Sequence, residues 1–272
     1  MALTQNGPGW LFCPADRPER FEKAATAADV VILDLEDGVA AKDRETARAA
    51  LIETPLDPSR TVVRVNPATT PDHELDLLAL ARTAYTTVML AKTESAEQIA
   101  ALAPLDVVVL IETPLGALAV TELARVDNGF ALMWGAEDLF AVLGGTSNRN
   151  PDGSYRDVAK HVRSQTLLAA KAYGRMALDS VYLDIKDLDG LRTEVDDAVA
   201  VGFDAKVAIH PSQVAVIRAG YAPTDEQVRW ARHVLEAARL ERGVFQFDGQ
   251  MVDMPVLRRA ERIVALAPRA ES

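Results

Sequence analysis

Two segments of this sequence, "DVVVLIET" at residues 106–113 and "ALMWGAED" at residues 131–138, decide its fold. Each begins as a short apolar run and ends in acidic residues. The stretch between them, "LGALAVTELARV" (115–126), has the apolar spacing of a helix. A run that is nearly continuously apolar is typical of a parallel strand buried on both faces. The two segments therefore predict a strand–helix–strand unit with carboxylates at the carboxyl ends of both strands.

The same unit recurs along the chain. Eight apolar runs are predicted strands, at residues 10–15, 29–37, 60–66, 86–94, 106–113, 131–138, 180–185 and 205–211. A helical pattern follows each run, and eight such units in about 210 to 220 residues predict an α/β protein with a (β/α)8 TIM barrel over residues 1–221. The rival fold is an open doubly wound sheet, but no GxGxxG fingerprint follows the first predicted strand.

The pattern changes after Tyr221, so residues 222–272 are predicted to form a C-terminal extension. We expect an amphipathic helix capped by Thr224 and stopped by Gly243, a hairpin turning at Asp248–Gly249, and a final helix from 254 to 267. A segment this short cannot bury a large core of its own. It is therefore expected to pack on the barrel or on a neighbouring subunit.

Composition excludes several classes of protein. A formal net charge of −11 argues against sequence-independent nucleic-acid binding, which needs clustered Lys and Arg. Cys13 is the single cysteine of the chain, so no internal disulfide can form, and a reducing cytoplasm is the expected location. There is no secretory signal and no apolar run of about 18 residues or more, so no membrane association is expected.

Polar residues follow the predicted strands where each one ends. In (β/α)8 barrels these positions carry the functional groups. They are Asp34, Glu36, Asp37, Arg64, Asn66, Lys92, Glu94, Glu112, Glu137, Asp138, Asp184 and His210. Acids outnumber bases in this set, and buried carboxylates need a cationic partner. The pattern therefore indicates a bound cation.

Glu112 and Asp138 end the fifth and sixth predicted strands, which are neighbours in a barrel. Mg²⁺ typically takes one or two carboxylates and completes its coordination with water and substrate oxygens. The sequence has no cluster of Cys and His residues of the kind that binds zinc. The alternative is that either carboxylate only caps the helix that follows it. The two acids together favour a magnesium site.

Three basic side chains near these acids have alternative roles. The guanidinium of Arg64 suits a substrate carboxylate or carbonyl, or else an ion pair with Glu36 or Glu112. Lys92 is a candidate Schiff-base lysine, but surrounding acids raise its pKa, so we interpret it as structural. His210 is interpreted as a hydrogen-bonding residue rather than a base.

Seven motifs in order resemble the citrate lyase beta-subunit-like family, within the HpcH/HpaI group that also holds malyl-CoA and citramalyl-CoA lyases. The resemblance runs from Trp10 to about Val256. The motifs are "FCPADRPERFEKA", "VILDLEDGV", "VVRVN", "LIETPLGA", "WGAEDL", "AIHPSQ" and "GQMVDMPV". This sequence departs from two of the family's patterns. It has "PADRP" where the family usually has "PGNRP", and "LAKTE" where "PK" is usual.

The resemblance implies a set of site residues in a barrel that is usually trimeric. It implies Mg²⁺, or Mn²⁺, on Glu112 and Asp138. The implied substrate-binding groups are Arg64, Glu112, Asp138 and the main-chain amides of Gly135 and Ala136. The coenzyme A portion is assigned to Phe12, Arg17 and Lys23. The implied catalytic residues are Arg64, Glu36, Asp37 and Asp253, the last reaching the active site of the next subunit.

The resulting expectation is a Mg²⁺-dependent carbon–carbon lyase of a homotrimer. It would cleave or form a 3-hydroxyacyl-CoA of the malyl, citramalyl or hydroxymethylglutaryl type, with acetyl-CoA and an oxo acid as the other partners. One alternative is a citrate lyase beta-type subunit acting on a carrier-protein thioester. Another is a pyruvate aldolase that needs no thioester. The acyl chain stays open, because a methyl or methylene is worth only about 1–3 kcal/mol in a pocket.

Overall fold

The structure is a computed structural model that describes Leu3 and residues 6–241 and 243–267. Its chain divides into two units, Met1–Ile217 and Arg218–Ser272. The first is the barrel and the second is a small helical and hairpin unit, and each is described by itself below.

Eight parallel strands close into a barrel in chain order, which confirms the predicted (β/α)8 fold. The strands are β1 (Gly9–Pro14), β2 (Val30–Asp34), β3 (Thr61–Val65), β4 (Thr87–Leu90), β5 (Asp106–Ile111), β6 (Gly129–Trp134), β7 (Met176–Asp179) and β8 (Ala205–Ala208). Closure is made by β1 against β8, where Trp10 lies opposite Val207.

Helices follow the strands and cover the barrel. They are α1 (Phe21–Ala27), α2 (Arg44–Glu53), α3 (Pro71–Leu80), α4 (Ala96–Ala100), α5 (Pro114–Leu123), α6 (Ala136–Leu143), α7 (Asp157–Ala172), α8 (Leu188–Val201) and α9 (Pro211–Tyr221). Among the described residues, no helix combines the length and the apolar character that a bilayer crossing requires.

The strands bury apolar side chains on both faces. Alternate residues such as Ile32, Val62 and Met89 fill the barrel interior, while their neighbours Leu33 and Val63 are equally buried on the outer face. Removal of this apolar surface from water is the main driving force for the fold. Burial on both faces explains why the strand segments are almost continuously apolar rather than alternating.

The predicted seventh strand at 180–185 is wrong, since β7 is Met176–Asp179. Leu183 and Ile185 lie in the following loop with exposed side chains. The shift arises because Asp179 is a buried acid inside the barrel wall, and buried acids are rare unless paired. The predicted strands at 29–37 and 86–94 are likewise shortened, because their acidic ends turn into loops at the rim.

Asp179 belongs to a buried ionic cluster between the barrel and its helices. Its Oδ2 lies 3.0 Å from Lys206 Nζ, and its Oδ1 accepts from Arg163 Nε at 2.9 Å and Trp134 Nε1 at 2.7 Å. The Lys206 ammonium also donates to the Ser180 carbonyl at 2.8 Å. Burial alone would raise the pKa of Asp179, but Lys206 and Arg163 hold that pKa at about 2.

The second unit contains α10 (Asp225–Ala237), β9 (Phe245–Phe247), β10 (Gln250–Val252) and α11 (Met254–Leu266). Ala231, Val234, Val252 and Ala260 form its small buried core.

Three of the four predictions for this unit are confirmed, including the final helix, which is α11. The hydroxyl of Thr224 caps α10 in a capping box with Gln227. The hairpin turns at Asp248–Gly249, where both residues have positive φ, as a type I′ turn requires. The predicted stop at Gly243 is wrong, because α10 ends at Ala237. Leu240 is 87% exposed, so no packing supports a further turn.

The depressed pKa of Asp179 predicts a specific acid sensitivity. Its folded pKa lies below the unfolded value of about 3.9, so its contribution is present above about pH 4 and is lost as the pH falls towards 2. We expect Asp179→Asn to lower the free energy of unfolding at pH 6 by about 3 kcal/mol, because it removes the buried carboxylate that pairs with both Lys206 and Arg163. Urea unfolding at pH 6, 4 and 2.5 should show that the difference in unfolding free energy between wild type and Asp179→Asn narrows by about 2 kcal/mol.

The control is Asp196→Asn, which breaks an exposed ion pair with Arg192 on α8. It should change the free energy of unfolding by less than about 0.5 kcal/mol. A difference between wild type and Asp179→Asn that stays constant from pH 6 to 2.5 would refute the assigned role.

Candidate active site

The charged side chains predicted at the strand ends gather at one rim of the barrel. Parallel strands all end at the same face, so the residues that follow β2 to β6 are neighbours in space. The group comprises Asp34, Glu36, Asp37, Arg64, Lys92, Glu112 and Asp138. Contacts between members on different strands tie them into one network.

Arg64 is fixed by two acids from the end of β2. Its Nε and Nη2 donate to the two carboxylate oxygens of Asp34 at 2.7 and 2.6 Å, and its Nη1 lies 3.2 Å from Glu36 Oε2. Asp34 also accepts the amides of Glu36 and Gly38 at 2.9 and 2.8 Å. The guanidinium lies 4.6 Å from the centre of the Phe12 ring. The predicted ion pair with Glu36 is therefore present, while the stronger bidentate partner, Asp34, was not foreseen.

Glu112 lies directly after β5 and is only 2% exposed. Its Oε1 accepts the Lys92 amide at 2.9 Å. Burial, and then the negative charge of Asp138, raise the pKa of Glu112 to about 8. Without an added cation the charged form of this carboxyl is therefore disfavoured.

The glycine in "WGAEDL" makes room for this carboxylate. A Cβ at Gly135 would lie 2.9 Å from both Cβ and Oε2 of Glu112, closer than real side-chain contacts allow. The sequence stops its strand at a glycine because the neighbouring strand places an acid against that backbone. The amide of Gly135 donates to the Ile111 carbonyl at 2.8 Å.

This hydrogen bond corrects the expectation that the Gly135 N–H binds substrate, because that N–H already donates to the neighbouring strand. Ala136, the other predicted main-chain donor, is the first residue of α6. The first amides of a helix have no partner inside the helix and favour anions. Ala136 thus keeps a geometry suited to a carboxylate.

Lys92 joins acids that follow two different strands, β2 and β6. Its Nζ pairs with Glu36, lies 2.9 Å from Asp37 Oδ2 and lies 3.2 Å from Asp138 Oδ1. Burial would lower the pKa of Lys92, but Glu112 and the hydrogen-bonded acids raise it above its ordinary value. The lysine is therefore a fixed ammonium, as the structural interpretation predicted, and a poor Schiff-base nucleophile.

The two acids on the β2 loop differ in their electrostatics. Burial raises the pKa of Glu36 despite the opposing effect of Arg64. Burial would raise the pKa of Asp37, but the hydrogen bond and the charge of Lys92, together with the charge of Arg64, lower that pKa. Both Glu36 oxygens are already engaged, by Lys92, Arg64 and the Asp37 amide. Asp37 is the more exposed of the two.

The charge balance at the rim favours a divalent cation. In the described part of the chain, five carboxylates of the network meet two cationic side chains. Within the same residues, no group of three or more His, Cys, Asp or Glu side chains is arranged to hold a metal ion alone. A metal here would therefore use Glu112 and Asp138 with water and substrate oxygens, which is the donor set Mg²⁺ accepts.

The residues assigned to coenzyme A fall into two groups. Phe12 is half-buried beneath the Arg64 guanidinium, inside the site. Arg17 and Lys23 are exposed, the first in the loop after β1 and the second on α1. The structure therefore leaves two cations at the outer surface on the β1 side of the rim.

Five of the predicted strand-end residues do not join the network: Asn66, Glu94, Glu137, Asp184 and His210. The amide of Glu94 donates to Gln98 Oε1 at 2.8 Å at the start of α4. Glu137 accepts the Asn148 side-chain amide at 2.6 Å, and Asp184 accepts the Lys186 amide at 3.0 Å in the loop after β7. His210 is exposed, and its Nδ1 lies 2.8 Å from the Ser212 hydroxyl at the start of α9. Its interpretation as a hydrogen-bonding residue is confirmed.

Asp253 lies in the second unit as the N-cap of α11. Its Oδ1 accepts the Val256 amide at 3.3 Å, which leaves the second oxygen for another partner.

A supporting layer behind the rim was missed. Asp76 on α3 is fully buried and accepts both the amide and the side-chain nitrogen of Asn66, at 2.9 and 2.7 Å. Asn66 in turn donates to the Leu35 carbonyl at 2.9 Å, between Asp34 and Glu36 in sequence. The sequence signal for a buried Asp76 was its place between two leucines in a helical segment. That pattern fits a solvent-facing acid equally well.

The barrel is closed, and its C-terminal rim holds a fixed arginine beside two acids whose charges favour a bound cation. This is the arrangement of a metal-assisted enzyme. The chain belongs to the HpcH/HpaI aldolase/citrate lyase family, whose model matches residues 9–211. The resemblance noted from the sequence motifs is thereby confirmed.

Individual relatives agree with this assignment. The chain is 61% identical over 272 residues, all of both chains, to the citrate lyase subunit beta-like protein of Mycobacterium tuberculosis. It is 32% identical to the mitochondrial citramalyl-CoA lyase of Rattus norvegicus, over 94% of this chain and 85% of that protein. It matches the crystal structure of protein CitE from M. tuberculosis in complex with magnesium, acetoacetate and coenzyme A with a TM-score of 0.94. That match has 62% sequence identity and covers 97% of this chain and 98% of the other.

The contact between Gly135 and Glu112 predicts the effect of one added methyl group. Gly135→Ala should displace the Glu112 carboxylate and lower the free energy of unfolding by about 1–3 kcal/mol, the usual cost of overpacking. It should also weaken Mg²⁺ binding, measured by isothermal titration calorimetry. Gly145→Ala is the matched control, because its Cβ would meet only the edge of the Phe140 ring at 3.1 Å. Equal Mg²⁺ affinity in both variants would contradict this account.

Proposed function

We propose that this chain is a cytoplasmic, Mg²⁺-dependent carbon–carbon lyase that cleaves a 3-hydroxyacyl-CoA into acetyl-CoA and an oxo acid, and catalyses the reverse condensation. The carrying observation is the buried Glu112 carboxyl, whose pKa is raised to about 8 beside Asp138 at the rim that holds Arg64. The ligands of the related CitE structure, magnesium, acetoacetate and coenzyme A, support this choice.

The reaction is a retro-aldol cleavage. A base removes the proton of the 3-hydroxyl group, the bond between C2 and C3 breaks, and its electron pair moves onto the thioester as an enolate. Protonation of that enolate at carbon gives acetyl-CoA, and the former hydroxyl carbon becomes the carbonyl carbon of the oxo acid. Bound Mg²⁺ on Glu112 and Asp138 supplies Lewis-acid stabilisation of the substrate oxygens.

Arg64 stabilises the negative charge that develops on oxygen. Two of its five N–H groups donate to Asp34, and its Nη1 lies 3.2 Å from Glu36 Oε2, which together fix the orientation of the guanidinium. The remaining N–H groups serve the substrate, and a preorganised donor of this kind needs no rearrangement during reaction. The Ala136 amide at the start of α6 helps to hold the oxo-acid carboxylate.

The other predicted residues take supporting roles. Glu36, with both oxygens engaged, positions Arg64 and Lys92, while the more exposed Asp37 faces the substrate side. We assign the coenzyme A portion to the β1 side of the rim. There Phe12 adjoins Arg64, and Arg17 and Lys23 offer exposed cations for phosphate groups.

Asp253 is the proposed acid–base carboxylate that exchanges a proton with the α-carbon of acetyl-CoA. We place it in the active site of the neighbouring subunit of a homotrimer, delivered by the extension 222–272. Leu115 and Leu118 support such an interface, because they are 61% and 84% exposed on α5, directly after Glu112. Adjacent exposed leucines at the edge of a site are typical of a protein contact.

The main test is a screen of purified protein with Mg²⁺ against malyl-, citramalyl- and 3-hydroxy-3-methylglutaryl-CoA. We expect acetyl-CoA and an oxo acid in equal amounts, lost on addition of EDTA. Glu112→Gln and Asp138→Asn should each reduce turnover at least about 100-fold, since each removes a charged ligand. Glu137→Gln, an exposed neighbour bonded to Asn148, is the matched control and should retain activity.

Other outcomes would redirect the assignment. Free CoA with an intact hydroxy acid would indicate thioester hydrolysis. Activity on pyruvate and an aldehyde alone would indicate an aldolase, and activity only with a carrier-protein thioester would indicate a citrate lyase beta-type subunit. The absence of any EDTA-sensitive cleavage would refute the proposal.

Asp253→Asn tests the carboxylate from the second unit. Asparagine is an equally good N-cap, so the fold of α11 should persist. Mg²⁺ binding should be retained while turnover falls about 100-fold or more, within the range of general acid–base effects. Asp248→Asn in the hairpin turn is the control, because asparagine tolerates its positive φ.

Mixing the two inactive variants distinguishes a shared site from a single-chain site. If Asp253 acts across subunits, co-refolded Asp253→Asn and Glu112→Gln chains should regain part of the activity. Undiminished turnover of Asp253→Asn alone would remove this residue from the mechanism.

A further inference from the structure

We propose that Lys92 is an internal counterion that competes with the metal for Asp138 and thereby sets the magnesium affinity of the site. The inference rests on the proposed function, because it takes Glu112 and Asp138 as the metal ligands. It assigns a role to a residue that neither binds substrate nor transfers a proton in the mechanism above.

The side chain of Lys92 is held by acids on two loops. Its Nζ pairs with Glu36, lies 2.9 Å from Asp37 Oδ2 on the β2 loop, and lies 3.2 Å from Asp138 Oδ1 on α6. Its shorter contacts are with the β2 loop, so the ammonium stays anchored there if the contact with Asp138 is lost. Asp138 can therefore lose its contact with Lys92 and bind a metal ion instead.

The main chain of Lys92 contacts the other proposed ligand. Its amide donates to Glu112 Oε1 at 2.9 Å, from a backbone with φ of +50°. This left-handed conformation is uncommon for lysine and has an energetic cost. One residue therefore orients Glu112 through its backbone and neutralises Asp138 through its side chain. Substitution of the side chain separates the two effects.

Competition follows from electrostatics. A divalent cation bound to Asp138 repels an ammonium that lies 3.2 Å from the same carboxylate oxygen. Binding of the metal must therefore weaken this ion pair, and that cost lowers the measured affinity. If Lys92 only prevented the acids from repelling one another, its removal would disorder the ligands and weaken metal binding. The direction of the change in affinity separates the two roles.

The test measures the dissociation constant of Mg²⁺ by isothermal titration calorimetry, without substrate. Lys92→Gln and Lys92→Gly should each bind Mg²⁺ about tenfold more tightly than wild type. Glycine adopts the left-handed backbone without strain, so Lys92→Gly keeps the amide donor to Glu112. Lys92→Arg, which keeps the charge, should stay close to wild type.

Two further measurements guard against indirect effects. Lys160→Gln removes one positive charge from an exposed position on α7 and should leave Mg²⁺ affinity unchanged. Thermal unfolding should show that metal-free Lys92→Gln is less stable than wild type and that Mg²⁺ raises its Tm by a larger margin. Unchanged or weaker Mg²⁺ binding in both Lys92→Gln and Lys92→Gly would overturn the inference.

Failure of the proposed function gives a different result. If wild type binds Mg²⁺ with the predicted response to Lys92 substitution but cleaves no thioester, the lyase assignment fails and the counterion role stands. If wild type binds Mg²⁺ and cleaves thioesters while the Lys92 variants bind it more weakly, the counterion role alone fails. If neither wild type nor any variant binds Mg²⁺, both are wrong.

Discussion

The buried carboxylate of Glu112, set beside Asp138 at the end of two neighbouring strands, is the constraint on which this rim depends. An acid at that depth is unfavourable in its charged form, and a second acid nearby makes it more so. The surrounding backbone is adapted to keep it there. Gly135 lacks the Cβ that would collide with it, and Lys92 adopts a left-handed conformation to donate its amide. Strain and burial of this kind are characteristic of functional sites rather than of stable cores.

The second fixed element is the pair of Arg64 and Asp34. A bidentate ion pair with low exposure holds the guanidinium in one plane. Because Asp34 also accepts two loop amides, the same carboxylate shapes the loop that carries Glu36 and Asp37. The buried bonds of Asn66 hold this loop from behind. The positive group is therefore as rigid as the acidic one, which is what transition-state stabilisation requires.

The sequence predicted the barrel and most members of its rim, because strands buried on both faces have a distinctive composition and always end at the same face. It did not predict β7, because Asp179 is an acid buried in the wall and becomes acceptable only through Lys206 and Arg163, which are distant in sequence. The choice of Asp34 as the main partner of Arg64 depends on register and rotamer, which no local pattern encodes. For the same reason, the sequence could not predict the hydrogen bond from the Gly135 amide to the Ile111 carbonyl.

The charge of the rim also determines what an anionic ligand needs in order to bind. An oxo acid and a thioester both bring negative charge or electron-rich oxygens to a surface where carboxylates outnumber cations. Arg64 cannot offset this alone, because Asp34 and Glu36 already neutralise it. Productive binding of an anion therefore requires an additional cation next to Glu112 and Asp138. We therefore expect metal and substrate to bind interdependently, since a cation beside Glu112 and Asp138 would offset the negative charge that disfavours an anion at this rim.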